Sequence, residues 1–344
     1  MLLPELGTEG QARLAASHAA VVGVGALGCT SADLLVRAGV GRVTLIDRDI
    51  VETTNLQRQT LFTEADAYAG LPKAVAAADR LRTVNSDIQI DHHVADANAS
   101  TIERLLGIPA GPPDAILDGT DNFDTRLLIN DVACKHGIAY FYAGVVAGRG
   151  MATPVLPGDE RNLPCLRCLM PKAPPPGSQP TCDTVGVFSP AVVIAAAVQA
   201  GEAIKLLAGR RDLVSPTLLE FDLLGTTRRS LDLAGMRDPA CPCCGVRCGE
   251  GRYDFLDSPP SGSTALCGSG AVQVLPAAGR GVDLAALARR LEPVGDFDQT
   301  PFFLRGKLDD PPQRLTVFAD GRALFHDVDD PTRARALYAR FIGT

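Results

Sequence analysis

Residues 19–143 alternate between two patterns of hydrophobic and polar positions. Short apolar runs that end on glycine or on polar residues are typical of strands buried in a parallel sheet. Longer segments between them carry apolar residues at helical spacing. We predict one helix that ends at Gly39, strands over 21–22, 43–46, 88–92, 114–118 and 138–143, and helices over 71–84, 101–106 and 123–136. Strands alternating with helices indicate an α/β protein with a doubly wound, Rossmann-like sheet.

The pattern changes after residue 150. Residues 151–156 and 217–233 are predicted to be strands that extend the sheet in antiparallel fashion. The prolines and polar residues of 170–183 predict an exposed, mobile crossover loop. A helix is then predicted from Ser189, as its N-cap, to Gly209. Because this helix is apolar on nearly all sides, we expect it to be buried at a subunit interface, and its charged residues argue against a membrane span.

A second, smaller module is predicted at the end of the chain. Residues 249–263 are rich in glycine, proline and serine, so we predict a linker after a first domain over 1–248. The remainder, 264–344, shows in order a strand, a helix, a strand, a hairpin and a helix, over 271–275, 284–291, 302–308, 315–327 and 331–341. This order predicts a small α+β module, and the sequence assigns no role to it.

A glycine-rich turn joins the first strand to the first helix. Gly23, Gly25 and Gly28 have the spacing of the dinucleotide-binding fingerprint. Glycine lets the backbone approach a phosphate, and the N-terminus of the helix offers unpaired N–H groups and the positive end of its dipole. Asp47 follows about 20 residues later, where an acid can bind ribose hydroxyls. Alone, this pattern predicts nucleotide binding and leaves a nicotinamide or flavin enzyme open.

The residues that follow favour a different chemistry. Within 54–59, Arg58 is one of two cations, with Lys73, that we expect near the phosphates of a bound nucleotide. Asp121 and Asn122 follow the fourth strand, whose carboxyl end opens into the same crevice. An aspartate there can hold Mg²⁺ on the phosphates, while the cations offset the charge that develops on pyrophosphate. The set predicts nucleotidyl transfer, and a carboxylate nucleophile would need no separate base.

Composition narrows the class of protein. Hydrophobic residues make up 46% of the chain and charged residues 21%, which is ordinary for a globular protein. The net charge of −7 argues against nucleic acid as a partner. The apolar run over 19–27 is too short, and too interrupted by glycine, for a signal peptide or membrane helix, so we expect a cytoplasmic protein with no membrane contact. Ten cysteines in that compartment favour metal ligands or reactive thiols over disulfides.

Two cysteine pairs have the spacing of zinc knuckles. Cys165 and Cys168 form the first pair, and Cys241 and Cys244 form the second. Two such pairs predict one structural, tetrahedral Zn²⁺ site. Cys243 leaves the ligand in the second pair ambiguous. We expect the other thiols outside the proline-rich loop to be packing or surface residues: Cys29, Cys134, Cys248 and Cys267.

Together the motifs resemble the ThiF/MoeB/HesA family, bacterial relatives of ubiquitin-activating enzymes. The resemblance runs from residue 3 to about 245 and rests on the glycine turn, Asp47-x-Asp49, Asn55-Leu56-Gln57-Arg58-Gln59, Pro72-Lys73 and Thr120-Asp121-Asn122. It implies a homodimeric adenylyltransferase that uses Mg-ATP. The substrate would be the C-terminal glycine of a small ubiquitin-like (β-grasp) sulfur-carrier protein ending in Gly-Gly, in thiamine, molybdopterin or related biosynthesis. A sulfur-donor protein would be a further partner.

The resemblance also implies roles for individual residues. Asp47 would bind ribose, Asn55, Arg58 and Lys73 the phosphates of ATP, and Asp121 the Mg²⁺ ion. The implied nucleotide-binding set is completed by Gly23, Gly25, Ala26, Gly28, Asp49, Gln57 and Asn122. Ala26 stands where the molybdopterin member of the family has glycine, and it is small enough to preserve the backbone contact.

Two further features concern Cys182 and the N-terminus. Cys182 occupies the position of a cysteine that, in the thiamine-pathway member, takes the acyl group or sulfur of the carrier. An exposed thiol just before a helix can act as a nucleophile.

The family's R-Y-x-R-Q segment, whose second arginine reaches the partner's ATP, would precede Met1. Either the true start lies upstream or another cation replaces that arginine, with Arg13 the nearest candidate.

Two other functions remain open at this point. A nicotinamide-dependent oxidoreductase could use the same glycine turn, but it would have no use for residues 55–59 or for the zinc knuckles. A non-catalytic relative could bind a β-grasp partner, and the missing arginine supports this alternative. The presence of Arg58, Lys73 and Asp121 argues against it.

Overall fold

The chain folds as two compact units, Met1–Ser258 and Pro259–Thr344. A computed structural model describes residues 3–172, 185–258, 263–266, 271–276, 281–328 and 330–343. Each unit has a hydrophobic core of its own.

The first unit is built on an eight-stranded sheet. In chain order its strands are β1 (His18–Val22), β2 (Arg42–Asp47), β3 (Gln89–Val94), β4 (Ala115–Asp118), β5 (Ala139–Val146), β6 (Arg149–Val155), β7 (Thr217–Asp222) and β8 (Thr227–Asp232). Their spatial order is β3-β2-β1-β4-β5-β6-β7-β8. The pairs from β3 to β5 are parallel and those from β5 to β8 antiparallel. The predicted doubly wound sheet with an antiparallel extension is therefore confirmed.

Helices cover both faces of this sheet. In chain order they are α1 (Gly7–Ala16), α2 (Ala26–Ala38), α3 (Glu64–Tyr68), α4 (Lys73–Val84), α5 (Ile102–Leu105), α6 (Phe123–His136), α7 (Leu166–Leu169), α8 (Ser189–Leu207) and α9 (Asp254–Asp257). Successive strand residues point to opposite faces. Val21 and Leu117 enter the core formed with α2, α4 and α8, whereas Val22 and Ile116 enter the core formed with α5 and α6. Burial on both faces explains the continuous apolar runs of these strands.

The strand order creates a crevice at the carboxyl ends of β1 and β4. β1 lies between β2 and β4, so the connections that leave these strands diverge there. Open α/β sheets bind ligands at this kind of switch point. β1 ends directly before Gly23 and β4 directly before Gly119. The topology therefore places the glycine turn and the Thr120–Asn122 segment at one opening.

The segment over 48–70 is more regular than predicted. It contains a 3₁₀ turn, Thr53–Asn55, and the short helix α3. A capping box starts α3, since the Thr63 hydroxyl accepts the N–H of Asp66 and the Asp66 carboxylate accepts the N–H of Thr63 at 2.7 Å. The spacing of Thr63 and Asp66 was the local signal for this helix.

Residues 217–233, predicted as one strand, form the hairpin of β7 and β8. Thr226, directly before β8, has a φ of 53°, in the left-handed region that turns permit. All six residues of β8 are exposed. Because β8 buries no face, its sequence lacks the alternation that would have separated it from β7.

α8 has one buried and one exposed face. It begins at Ser189 with Phe188 at the cap position, so the predicted N-cap is one residue too late. Its buried face packs against α2, β5 and β6, whereas Val193 and Ile194 are 43% and 39% exposed. The expected burial at a subunit interface concerns a face that a single chain leaves exposed, and it stays a prediction. By length and composition α8 could cross a membrane, a test that core helices of globular proteins also pass.

The first unit continues beyond the predicted domain limit at residue 248. The hydroxyl of Tyr253 accepts the N–H groups of Gly249 and Gly251 at 3.0 and 3.2 Å. The N–H of Phe255 donates to the buried carboxylate of Asp131 at 2.9 Å, and α9 packs on α6. Because these contacts fix the first part of the predicted linker, the boundary between the units falls after Ser258.

The second unit is a six-stranded antiparallel sheet with two helices. Its elements are β9 (Ser263–Leu266), β10 (Ala271–Val274), α10 (Leu284–Leu291), β11 (Gly295–Gln299), β12 (Phe303–Asp309), β13 (Pro312–Phe318), β14 (Ala323–His326) and α11 (Pro331–Phe341). The strand order is β11-β12-β13-β14-β10-β9. Both predicted helices are present with the predicted bounds, and the carboxylates of Asp283 and Asp330 cap them. β11 escaped prediction because it is mostly polar and exposed.

Candidate active site

Three glycines bring β1, α2 and β4 together at the crevice. Gly23 has a φ of +86°, and its N–H donates to the carbonyl oxygen of Ile46 at 2.8 Å. A Cβ atom on Gly28 would lie 1.9 Å from the carbonyl oxygen of Gly23, and one on Gly119 would lie 2.0 Å from the same atom. All three positions therefore require glycine. Gly119 is not among the residues predicted from the sequence, although its place directly after a buried strand is a signal for it.

The start of α2 faces this turn. α2 begins at Ala26, and Gly25 at its N-cap position has no side chain with which to cap the helix. A Cβ atom on Gly25 would meet its nearest neighbour only at 3.8 Å, so Gly25 is not required by packing. The backbone N–H groups of this first turn are therefore suited to an anion.

Asp47 ends β2 and is buried against the glycine turn. Its Oδ2 accepts the N–H of Val24 at 2.6 Å, and its Oδ1 accepts the N–H of Asp49 at 2.7 Å. Burial raises the pKa of Asp47, and the positive charge of Lys73 opposes the rise. Each carboxylate oxygen keeps a second lone pair. Asp47 thus shapes the turn and can still accept a hydrogen bond from a ribose hydroxyl.

Lys73 is a buried cation at the first turn of α4. Its Nζ donates to Oδ2 of Asp49 at 3.1 Å. Burial by itself lowers the pKa of Lys73, but the carboxylates of Asp49, Asp47 and Asp121 outweigh burial and raise it above the ordinary lysine value. Lys73 is therefore a permanent positive charge in the crevice, and Asp121 lies within its electrostatic range.

The 3₁₀ turn places the predicted phosphate ligands. Asn55 is buried, and its Oδ1 accepts the N–H of Glu52 at 3.0 Å, so part of its amide shapes the turn. Arg58 is partly exposed and donates to the carbonyl oxygen of Thr54 at 3.2 Å. Gln57 is exposed. Of these three side chains, Arg58 has the reach and exposure to contact a phosphate.

Gln59 is a candidate site residue to which the sequence analysis assigns no role. Only 4% of Gln59 is exposed, and its Oε1 has no hydrogen-bond partner within the described part of the chain. Its Nε2 lies 3.9 Å from the position that a Cβ atom on Gly25 would take. A buried amide without a full set of partners is costly, so Gln59 is suited to a ligand bound at the glycine turn.

Asp121 and Asn122 have different roles at the end of β4. Asp121 is exposed. The Oδ1 of Asn122 accepts the N–H of Thr125 at 2.8 Å and caps α6. The cap fixes the start of α6 and with it the backbone next to Asp121. The structure therefore gives Asn122 a structural bond and leaves the carboxylate of Asp121 at the opening.

A buried polar network supports the loop that carries Asp121. Oδ1 of Asp118 accepts the N–H and the hydroxyl of Thr120 at 2.8 and 2.7 Å, and Oδ2 accepts the hydroxyl of Tyr140 at 2.6 Å. Arg126 donates to the carbonyl oxygen of Thr120 at 2.8 Å and lies 5.4 Å from the ring centre of Tyr142. Burial opposes the charge of Arg126, but Tyr142 and Asp118 outweigh it and raise the pKa.

Gln199 ties α8 to the same region. Its Nε2 donates to the carbonyl oxygens of Asp118 and Phe141, at 2.8 and 2.7 Å. Its Oε1 accepts the hydroxyl of Ser31 at 2.7 Å. The amide is 2% exposed and fully bonded. It joins α8, α2 and the ends of two strands beside the crevice.

The four predicted zinc ligands converge. Their Sγ atoms all lie within 4.8 Å of one another. The separations are 3.9 Å between Cys165 and Cys168, 3.7 Å between Cys165 and Cys241, and 3.4 Å between Cys168 and Cys244. A tetrahedral ion with Zn–S bonds of about 2.3 Å requires sulfur atoms about 3.8 Å apart. Donor type, number and spacing therefore suit Zn²⁺.

The geometry also settles the place of Cys243. Its sulfur groups with those of Cys134 and Cys165 and not with the four-cysteine set. Cys241 rather than Cys243 therefore completes the four-cysteine set. Cys134 and Cys243 are both buried.

The remaining predicted residues are distributed over the chain. Cys29 is buried behind the glycine turn, and burial raises the pKa of its thiol to about 12, as expected of a packing residue. Cys182 and Cys267 lie outside the described residues. Cys248 is exposed. Arg13 pairs with Glu9 at 2.7 Å on α1.

The sheet, the glycine-lined crevice and its paired charges define a nucleotide-binding α/β protein. A model of the ThiF family matches residues 1–243. The chain belongs to the ThiF family, as the resemblance predicted.

Three related proteins align with different shares of this chain. The chain is 40% identical to the sulfur carrier protein ThiS adenylyltransferase of Bacillus subtilis, over 99% of this chain and 97% of that protein. It is 37% identical to the sulfur carrier protein adenylyltransferase of Thermus thermophilus, over 71% of this chain and 88% of that protein. It is 39% identical to the mouse adenylyltransferase and sulfurtransferase MOCS3, over 79% of this chain and 55% of that protein. The match to the Bacillus protein includes the second unit.

Solved structures agree on the fold. The crystal structure of Escherichia coli MccB with ATP has a TM-score of 0.59 at 23% identity, over 69% of this chain and 70% of that chain. Structures of MccB with its peptide MccA have similar scores. At this identity the likeness concerns the fold.

Proposed function

We propose that the chain is an ATP-dependent adenylyltransferase that activates the C-terminal glycine of a ThiS-type sulfur-carrier protein. The observation that carries the proposal is the crevice itself, where a glycine turn adjoins the buried cation Lys73, the exposed Asp121 and the partly exposed Arg58. The 40% identity to the Bacillus ThiS adenylyltransferase over nearly the whole chain supports it.

The charges of the crevice suit attack at the α-phosphate. A carboxylate oxygen of the carrier forms a bond to the α-phosphorus, the bond from that phosphorus to the bridging oxygen breaks, and pyrophosphate leaves. Lys73 and Arg58 offset the negative charge that develops on the leaving group. Asp47 holds the ribose, and the N–H groups at the start of α2 bind phosphate oxygens. The carboxylate is already the nucleophile, so no side chain has to remove a proton.

Asp121 is the proposed ligand of Mg²⁺. Its carboxylate is exposed at the opening beside Lys73, and carboxylate oxygen is a ligand that this ion prefers. A bound Mg²⁺ would neutralise charge on the phosphate oxygens. Within the chain, Asn122 and Arg126 hold the Asp121 backbone in place through the cap of α6 and the Thr120 carbonyl.

The four-cysteine set is the proposed Zn²⁺ site. It joins the segment around α7 to residues 241–244 and lies away from the glycine turn, in the core on the opposite face of the sheet. We therefore assign it a structural role, with Cys165, Cys168, Cys241 and Cys244 as ligands.

A homodimer is proposed from the exposed face of α8. Phe188, Val193 and Ile194 are each about two-fifths exposed on this helix and at its cap, and large apolar side chains side by side on a surface mark an interaction site. A second copy would cover them.

The test is ATP–pyrophosphate exchange by the zinc-loaded protein. We expect exchange that requires both Mg²⁺ and a ThiS-type carrier ending in Gly-Gly, and none with a carrier that lacks the last glycine. Lys73→Met should abolish exchange, whereas Arg80→Met, an exposed cation of α4, should not. Failure of exchange with every Gly-Gly carrier would overturn the proposal.

The pathway depends on the carrier. Mass spectrometry of the carrier's C-terminus, as acyl-adenylate or thiocarboxylate, would identify the product. We place the protein in sulfur transfer for thiamine, molybdopterin or related biosynthesis. In this scheme Cys182 acts after adenylation, as a nucleophile toward the activated carrier.

A further inference from the structure

A second group of sulfur atoms adjoins the proposed zinc site. The Sγ atoms of Cys134, Cys165 and Cys243 lie within 4.8 Å of one another, and all three residues are buried. Only Cys165 belongs also to the four-cysteine set. We propose that Cys134, Cys165 and Cys243 bind a second Zn²⁺ ion, with the Cys165 sulfur bridging the two metals. A thiolate sulfur has lone pairs enough to bind two ions.

The carboxylate of Asp131 lies next to this group but is not within 4.8 Å of all three sulfur atoms. Its Oδ1 lies 3.4 Å from Sγ of Cys243. The three thiolates are therefore the proposed protein ligands, and a tetrahedral Zn²⁺ would complete its coordination with a water molecule from the cavity that these cysteines line. Asp131 and Cys134 are both on the buried side of α6. α6 therefore provides the ligand Cys134 and the carboxylate that contacts Cys243.

Neighbouring groups hold these ligands in orientation. The N–H of Phe255 donates to Oδ2 of Asp131 at 2.9 Å, which leaves Oδ1 directed toward Cys243. The amide of Asn130 donates to Sγ of Cys243 at 3.4 Å and accepts the N–H of Leu166 at 2.7 Å. Metal ligands are commonly oriented by such bonds.

A buried cation compensates the charge of the ligands. Two zinc ions bound by six thiolates leave a net negative charge, which is costly to bury without a partner. The guanidinium of Arg167 lies 3.6 Å from Oδ1 of Asp131 with 8% of its side chain exposed. Arg167 also follows two residues after Cys165, so the compensating charge is next to the shared ligand.

The site has a route to solvent. A cavity of about 530 Å³ is lined by Cys134, Cys165 and Cys243. Its lining also includes Arg237 and Cys248, and Cys248 is exposed. An ion can therefore reach the three buried sulfurs without unfolding of the unit.

The donor set decides which ion fits. Three thiolates suit Zn²⁺ and Cu⁺, whereas an oxygen ligand such as water is poor for Cu⁺ and good for Zn²⁺. Three sulfurs beside a cavity that can supply a water ligand therefore favour Zn²⁺.

Metal content of the purified full-length protein tests the proposal. After equilibration with Zn²⁺ and removal of unbound ion, we expect two zinc ions per chain by elemental analysis. Cys243→Ser should retain one ion, and Cys248→Ser, which changes a cavity cysteine outside the ligand set, should retain two. Circular dichroism would confirm that each variant is folded. Titration with Cd²⁺ should show two successive thiolate charge-transfer steps in the wild type and one in Cys243→Ser.

The outcomes separate the two metal sites. One zinc ion in both the wild type and Cys243→Ser would overturn the second site, leave the first, and make Cys243 a buried thiol hydrogen-bonded to Asp131. Two ions in Cys243→Ser would also overturn it. No zinc in the wild type would overturn both sites.

Discussion

The crevice and the cysteine cluster lie on the same sheet and use charge in opposite ways. In the crevice, Arg58 and Asp121 stand on loops after strand ends and are partly or fully exposed. In the cluster, Asp131 and Arg167 are buried and bonded to protein groups. Exposed charges contribute little to stability and remain available to a ligand. Buried ones hold the fold together and cannot be removed singly without cost.

The crevice also contains buried charges of its own. Asp118 and Arg126 bond chiefly to backbone groups or to one another, and so shape the loops that carry the exposed residues, whereas the buried Asp47 and Lys73 are also proposed to contact the ligand. The comparison therefore separates residues that act on a ligand from residues that position them. Four experiments test this separation.

The largest effect is expected from the cluster. Cys168→Ser removes one of four metal ligands, so the ion of the four-cysteine set should be lost and stability should fall by on the order of 4 kcal/mol or more. Thermal unfolding together with zinc analysis measures both changes. Cys248→Ser, the matched control, should stay within about 0.5 kcal/mol. Unchanged zinc content and melting temperature in Cys168→Ser would show that this cysteine is not a ligand.

A large effect on activity alone is expected in the crevice. Asp121→Asn keeps the size of an exposed side chain but removes its charge, so exchange should fall by about 10²–10³-fold while stability stays within about 0.5 kcal/mol. Pyrophosphate exchange and thermal unfolding are the two measurements. Asp124→Asn, in the first turn of α6, should leave both unchanged. Destabilisation of Asp121→Asn would contradict the division between acting and positioning residues.

An intermediate effect, on stability, is expected where α8 contacts the strand ends beside the crevice. Gln199→Leu leaves the carbonyl groups of Asp118 and Phe141 without their buried donor, which should cost about 2 kcal/mol. Urea unfolding measures it. Gln89→Leu changes an exposed glutamine on β3 and should stay within about 0.5 kcal/mol. Equal stability of the two variants would mean that the carbonyls find other partners.

The smallest effect on pyrophosphate exchange is expected from a substitution in the proline-rich loop. Cys182→Ala should leave pyrophosphate exchange unchanged, because adenylation precedes any use of this thiol, while later transfer of sulfur to the carrier should fail. Exchange assays and mass spectrometry of the carrier separate these steps. A variant that loses exchange itself would show that the two chemistries are not separate.

Much of the first unit could be predicted because its signals are local. The parallel strands are continuous apolar runs, and Gly28 must be glycine whatever surrounds the turn. The exposed strand β8 was harder to predict because it has no buried face. The short helix α3, which begins at the capping box of Thr63, was harder to predict because it has no apolar period. The sequence did not indicate which face of α8 would be exposed, since apolar residues lie on nearly all sides of the helix.

The motif residues, the α/β class and the cysteine spacing follow from the order of residues along the chain, because each depends on neighbours a few positions apart. Other properties depend on residues far apart in the sequence, which only packing brings together. Gln199 meets Ser31 and Asp118 through the contact of α8 with α2 and the sheet. The sulfur atom of Cys243 groups with that of Cys134 rather than with that of Cys241, because the buried side of α6 carries Cys134 into the same core. Spacing along the chain predicts ligands that lie in pairs, but tertiary packing determines which sulfur atoms are close enough to bind the same ion.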